Sequence, residues 1–134
     1  MNIRPRDASL PSVELRHSPE RGRGVFALVA MEAGTLIETC PVIEIAEEQV
    51  AALIQTNLSE YYFAWGGTGD SAAIALGFGS LYNHSAKPNA IYVKKPSQRV
   101  IEFISIVAIA AESEILVNYH GGYGDASPVW FEVR

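Results

Sequence analysis

The chain has 134 residues, a net charge of −5 and 49% hydrophobic residues. This length suits one domain with a buried core, and the acidic balance argues against a generic nucleic-acid binder while being compatible with a basic peptide partner. No apolar run reaches the roughly 18 residues of a membrane span, residues 1–7 lack the apolar core of a secretory signal, and the single cysteine, Cys40, excludes an internal disulfide framework.

The order of predicted elements indicates a mostly β protein. We expect an N-terminal arm at 1–12 and one domain at 13–134. Two acids open a helix at 47–55, and its apolar residues recur at helical spacing. Strands are predicted at 13–16, 25–30, 35–45 with a break near Pro41, 72–78, 90–94, 99–108 and 115–119. Residues 95–98 join two of these strands into a hairpin, and the aromatic stretch 58–65 is expected to be packed rather than solvent-exposed.

Three motifs carry candidate chemistry, and each is weak by itself. Gly22 and Gly24, separated by one residue, indicate only a tight or closely approached backbone. His84 lies in a polar insert at 83–89, between two apolar runs, and such a histidine is more often a satisfied turn residue than a functional one. Tyr119 ends an apolar strand and is by default an interior tyrosine with its hydroxyl paired. The three together, in this order, are more specific.

The ordered set resembles the SET domain, the β-rich family of protein-lysine methyltransferases. The set comprises Gly-x-Gly at 22–24, Asn-His-Ser-x-x-Pro-Asn at 83–89, and Glu-Ile-x-x-Asn-Tyr at 114–119. The resemblance covers about 13–131. It implies a β-clip-like fold of several small sheets, in which the two later motifs form a knot-like arrangement.

The resemblance also implies a site for S-adenosylmethionine, whose product is S-adenosylhomocysteine. In the family, the Gly-x-Gly segment lies along the methionine part of this cofactor, which corresponds here to Gly22, Arg23 and Gly24. The pair Asn83 and His84 matches the family residues that hold the cofactor's amino group and adenine.

The remaining family roles fall near the end of the chain. Tyr119 matches the catalytic tyrosine beside the transferred methyl group, so it is expected to contact the cofactor as well. Glu114 and Asn118 complete the motif and are assigned structural roles. An aromatic residue of the C-terminal segment, Trp130 or Phe131, would stack on adenine.

Methyl transfer to lysine requires a neutral amine, whereas free lysine has a pKa of about 10.4. A narrow apolar channel and the neighbouring sulfonium would both lower that pKa, and aromatic walls would attract the incoming side chain. The family favours Tyr61 or Tyr62 and Tyr123 as walls, with Tyr82 as a further candidate; each could instead fill the core. Tyr119 would orient the amine rather than act as a general base, because tyrosine ionises near pH 10.

Some positions depart from the family pattern. Ser80 stands where Arg is common, Ala86 where Cys is common, and Asn118 where Asp is common. The zinc-binding cysteine clusters of many eukaryotic members are absent because Cys40 is alone, and the three histidines lack the spacing of a metal site. The chain therefore resembles the compact form seen in bacteria and viruses.

Three functions follow as alternatives. The first is a protein-lysine methyltransferase acting on a protein or peptide lysine, without direct nucleic-acid or membrane binding. The second is a non-catalytic module on the same fold that binds a peptide or a protein partner, and the third is methylation of a small molecule or of another group on a protein. A homodimer is also predicted, in which a second subunit would cover the channel for the substrate lysine. The cytoplasm is the expected compartment, with a nuclear protein or a secreted effector left open.

Overall fold

The computed structural model describes residues 11–119. Within this range the chain forms one α-helix, nine strands and three short 3-10 turns. The elements in chain order are β1 (Val13–Ser18), β2 (Gly22–Ala27), β3 (Leu36–Ile45), α1 (Glu47–Ile54), β4 (Tyr62–Trp65), β5 (Ser71–Ala75), β6 (Asn83–His84), β7 (Ala90–Lys95), β8 (Val100–Ser105) and β9 (Leu116–Val117).

The described strands form three sheets. β1 pairs with β2, the five central strands lie in the order β4-β5-β3-β8-β7, and β6 pairs with β9. The first two sheets are antiparallel, whereas β6 and β9 are parallel. The prediction of a mostly β fold with several small sheets and one short helix is confirmed.

The core lies against one face of the five-stranded sheet. In β8, Ile101, Phe103 and Ser105 are buried and alternate with partly exposed residues, which is the period of a strand with one solvated face. The ring of Tyr82 stacks on Phe103, with centroids 4.3 Å apart and planes at 18°. The segment before β6 is thereby anchored in the core.

The predicted break near Pro41 was wrong, because β3 runs through it. Residues 36–41 of β3 pair with β8, and residues 42–45 pair with β5. Pro41 therefore lies where the strand changes partner, a position at which the missing N–H of proline is tolerated.

Several predicted strands are shorter in the structure. The strand predicted at 72–78 ends at Ala75, since Gly77 has a left-handed φ of +62° that extended residues do not adopt. The strand predicted at 115–119 is reduced to Leu116–Val117, and the stretch 58–65 divides into a 3-10 turn, Asn57–Glu60, and β4. The predicted hairpin is present as β7 and β8.

Helix α1 carries Glu47 and Glu48 in its first turn, where the negative charge of a carboxylate interacts favourably with the helix dipole. Leu53 is the buried residue of this helix. Over residues 11–119, no helix has the length and apolar character to cross a membrane. The predicted N-terminal arm, 1–12, lies almost wholly outside the described residues.

Candidate functional site

The three sequence motifs meet in space. Strand β6 pairs with β9 so that Asn83 lies opposite Leu116 and His84 opposite Val117. Strand β2 joins the same group from the other side, because the Ile115 amide donates to the Val25 carbonyl at 2.8 Å. Segments separated by 31 to 60 residues in sequence are thus hydrogen-bonded neighbours.

Asn89, the last residue of the second motif, binds the third motif through its side chain. Its Nδ2 donates to the Glu114 carbonyl at 2.9 Å, and its Oδ1 accepts from the Leu116 amide at 2.8 Å. The Asn89 amide also donates from the main chain to the Leu116 carbonyl at 3.1 Å. An asparagine fits here because its side-chain amide offers one donor and one acceptor, as a peptide group does.

Asn83 connects all three motifs. Its Nδ2 donates to the main-chain carbonyl of Arg23 at 2.7 Å and to the Glu114 carboxylate at 2.8 Å. Both donor hydrogens are therefore used within the described part of the chain. The Oδ1 atom is the part of this side chain left to accept a hydrogen bond from a ligand.

The two glycines of the first motif are required for different physical reasons. Gly22 has φ of +75°, a conformation that side chains rarely adopt. Gly24 is buried against its neighbours: a Cβ there would lie 2.2 Å from Glu114 Oε2 and 2.8 Å from Asn83 Nδ2. Gly24 thus permits the close approach that the Asn83–Glu114 pair requires.

Tyr119 is held at three atoms. Its amide donates to His84 Nδ1 at 2.9 Å, and its carbonyl accepts from the Tyr92 hydroxyl at 3.0 Å. Its own hydroxyl donates to the main-chain carbonyl of Tyr82 at 2.8 Å. Burial raises the pKa of Tyr92, so this hydroxyl stays a donor at neutral pH. The phenol of Tyr119 therefore has a defined position and direction.

A pocket of about 200 Å³ opens beside these groups. Its wall contains two arginines, one carboxylate and one amide, together with two tyrosines. The lining residues are Arg21, Arg23, Glu60, Tyr61, Ser80, Leu81, Asn83 and Tyr119. Such a wall suits a small ligand that carries both positive and negative groups.

The structure separates the predicted channel residues. Tyr61 lines the pocket, whereas Tyr62 pairs with Ile74 in the sheet and is not among the lining residues. The side chain of Tyr82 is directed into the core at 2% exposure, because its ring stacks on Phe103. The backbone of Tyr82, rather than its ring, reaches Tyr119. Three further predicted residues lie outside the described range: Tyr123, Trp130 and Phe131.

Several pocket residues were not predicted from sequence. Arg21 lies 3.5 Å from the Glu114 carboxylate and directly precedes the Gly-x-Gly motif, which was the available signal. Glu60 precedes the predicted Tyr61. Ser80, noted only as a departure from the family, lines the pocket, and its hydroxyl accepts from the Ala75 amide at 2.9 Å.

Comparisons with known proteins agree with this geometry. A family model described as SET domain matches residues 22–120. The histone-lysine N-methyltransferase, H3 lysine-37 specific, of Schizosaccharomyces pombe is 34% identical over 121 residues, which are 90% of this chain and 77% of that protein. A crystal structure of a Plasmodium falciparum "putative histone methyltransferase" superposes with a TM-score of 0.68 at 29% identity, covering 85% of this chain and 97% of that one. The predicted fold is thereby confirmed.

Proposed function

The chain belongs to the SET-domain family, and we propose that it transfers a methyl group from S-adenosylmethionine to the ε-amine of a lysine in a protein. Its class, protein-lysine methyltransferase, follows from the family and from the 34% identical curated relative. The cofactor, the substrate and the roles of individual residues are the proposal. The observation that carries it is the position of Tyr119, held at three atoms on the wall of a charged pocket.

The residues around the pocket fit this cofactor. S-adenosylmethionine has a carboxylate, an ammonium and a sulfonium, and it supplies the electrophilic methyl group when bound. Arg21 and Arg23 offer cations to the carboxylate, and Glu60 offers a carboxylate to the positive groups. Asn83 Oδ1 offers an acceptor to the ammonium. Because Gly24 has no Cβ, the space beside it is free for the Asn83 side chain in this orientation. His84 completes the predicted set through its place beside Tyr119.

The role of Tyr119 follows from its hydrogen bonds. Its hydroxyl proton is directed to the Tyr82 carbonyl, and the oxygen of a tyrosine hydroxyl can accept hydrogen bonds as well as donate one. An acceptor at that point orients the N–H of a neutral amine and so directs its lone pair. We therefore assign Tyr119 to positioning the lysine amine, with Tyr61 as an aromatic wall of the same pocket.

A basic protein segment is the substrate class that the charge favours. The chain carries a net charge of −5, which favours a basic partner. The name of the Schizosaccharomyces pombe relative gives it specificity for H3 lysine-37, which makes histone H3 the first substrate to test. Tyr62, Tyr82 and Tyr123 remain proposals for the channel, and Trp130 or Phe131 for the adenine stack.

The cofactor assignment is tested by titration calorimetry with S-adenosylmethionine and S-adenosylhomocysteine. We expect both to bind the wild-type chain and to bind Asn83→Ala at least roughly tenfold more weakly, which is about 1.4 kcal/mol. Asn57→Ala is the matched control, since Asn57 is exposed and is not a lining residue. Equal affinity of wild type and Asn83→Ala would refute the Asn83 assignment.

The reaction is tested with labelled cofactor and histone H3, followed by mass spectrometry of the modified residue. Label on a lysine supports the proposal. Cofactor binding without transfer to histone H3 or to lysine-rich peptides would favour the binding module, and label on a small molecule would favour the third function. Light scattering on the same purified protein measures its molar mass in solution and so tests the predicted homodimer.

A further inference from the structure

One carboxylate faces the core side of the central sheet. In the register of β3 against β8, Glu38 lies opposite the buried Phe103, and a register shift separates it from Leu36. Directly opposite residues in an antiparallel pair point to the same face. Glu38 therefore points to the same face of the sheet as the buried Cys40, two residues further along β3, and the bulge lies directly before it.

Glu38 accepts two hydrogen bonds from the segment that leads to the second motif. Its Oε1 accepts from the Tyr82 hydroxyl at 2.8 Å, and its Oε2 accepts from the Phe78 amide at 3.0 Å. The approach is close, since a Cβ on Gly77 would lie 2.3 Å from Oε2. The carboxylate thus holds both ends of the five-residue segment 78–82.

Tyr82 connects this carboxylate to the site. Its ring is clamped between the hydrogen bond to Glu38 and the stack on Phe103, while its main-chain carbonyl accepts the Tyr119 hydroxyl at 2.8 Å. Burial, and then the Glu38 charge, raise the pKa of Tyr82 well above its usual range. The Tyr82 hydroxyl therefore remains a donor to Glu38 whenever the protein is folded at neutral pH.

We propose that Glu38 is a positioning residue for Tyr119: by holding the Tyr82 hydroxyl and the Phe78 amide, it fixes the carbonyl onto which the Tyr119 hydroxyl is directed. The expected effect of Glu38 on turnover rests on the proposed function, whereas its expected effect on the position of Tyr119 does not. An apolar side chain at this position would fill the same face of the sheet and would leave both donors without an acceptor. If Glu38 only stabilised the fold, its hydrogen bond to Tyr82 would have no consequence for the Tyr119 hydroxyl.

The test compares Glu38→Gln with Glu44→Gln. Glutamine keeps the shape of Glu38 but presents a donor and an acceptor where two donors need acceptors, so one hydrogen bond is lost or reversed. Glu44 is a matched control on β3: it lies opposite the buried Ala73, and it accepts from Trp65 Nε1 at 2.8 Å. It makes no hydrogen bond to the segment 78–82 among the contacts of the described chain.

Two readouts are measured at a temperature where each variant is folded. The first is NMR of ¹³C-labelled tyrosine rings without ligand, with the Tyr119 signals assigned by Tyr119→Phe. The second is kcat with KM for both substrates. We expect Glu38→Gln to shift the Tyr119 signals and to lower kcat roughly tenfold with KM for the cofactor little changed, since small misplacements of a positioning group reduce rate. Glu44→Gln should do neither.

Unmoved Tyr119 signals in Glu38→Gln, with a kcat equal to that of Glu44→Gln, would overturn the proposal. If the wild-type chain transfers no methyl group but Glu38→Gln still shifts Tyr119, the proposed function fails and the positioning role stands. Should Glu38→Gln not fold, Tyr82→Phe tests the same link, because it removes the hydroxyl and keeps the ring; unshifted Tyr119 signals there would also overturn the proposal.

Discussion

The hydroxyl of Tyr119 donates a 2.8 Å hydrogen bond to the main-chain carbonyl of Tyr82. A main-chain acceptor neither titrates nor changes rotamer, so the direction of the phenol is set by the fold. Because Tyr82 immediately precedes Asn83, the residue that would bind the cofactor and the carbonyl that directs Tyr119 are adjacent in the chain. Binding and orientation thus depend on one short segment.

Tyr119→Phe separates these two tasks. The variant keeps the ring beside His84 but removes the oxygen that would orient the amine. We expect kcat to fall by about 100-fold or more while the calorimetric affinity for S-adenosylmethionine stays within about twofold of wild type. Parallel loss of affinity and rate would instead assign Tyr119 to cofactor binding.

Gly24→Ala tests the close approach of the first and third motifs. The added methyl group would meet Glu114 Oε2 at 2.2 Å and Asn83 Nδ2 at 2.8 Å, and overpacking of this kind costs about 1–3 kcal/mol. We expect lower stability in urea denaturation and weaker cofactor binding. Gly67→Ala is the control, since a Cβ there meets nothing within 4 Å. Similar behaviour of the two variants would contradict the interpretation.

Asn89 is expected to stabilise the junction of the second and third motifs. Asn89→Ala removes two side-chain hydrogen bonds to the backbone at Glu114 and Leu116, and we expect a loss of about 2–3 kcal/mol in the free energy of unfolding. Asn89→Asp keeps the acceptor for the Leu116 amide but places an acceptor against the Glu114 carbonyl. It should therefore lose part of that energy at neutral pH, and an Asn89→Asp variant as stable as wild type would argue against the paired role.

Alkaline pH should destabilise the fold through its buried tyrosines. Burial, followed by the Glu38 charge, raises the pKa of Tyr82, and burial raises that of Tyr92. An unfolded tyrosine ionises near pH 10, so the stability these groups contribute is complete below that pH and falls as pH rises above it. Urea denaturation from pH 8 to 11 should show this fall, and it should be shallower in Tyr82→Phe. An equal slope in both proteins would show that Tyr82 is not responsible.

The sequence by itself determined the class of fold and the three motifs. The two strand-like runs on either side of residues 95–98 predicted the hairpin, because strand composition and turn chemistry are local properties. The Gly-x-Gly, Asn-His and Tyr119 motifs could likewise be recognised in the sequence, since each places a distinctive residue type at a fixed position. The same local rules misjudged Pro41, whose tolerance depends on which strands lie beside it.

Only the tertiary structure decided which groups meet. That Asn83 bonds the Arg23 carbonyl and Glu114 depends on contacts across 60 and 31 residues, which no local pattern encodes. Tyr82 illustrates the same limit, because no local pattern indicates that its ring stacks on Phe103 or that its carbonyl accepts the Tyr119 hydroxyl. Glu38 appeared only as an acid within a β-branched run. Its direction follows from the register of β3 against β8, which places it opposite the buried Phe103, and register is a property of the paired strands rather than of one segment.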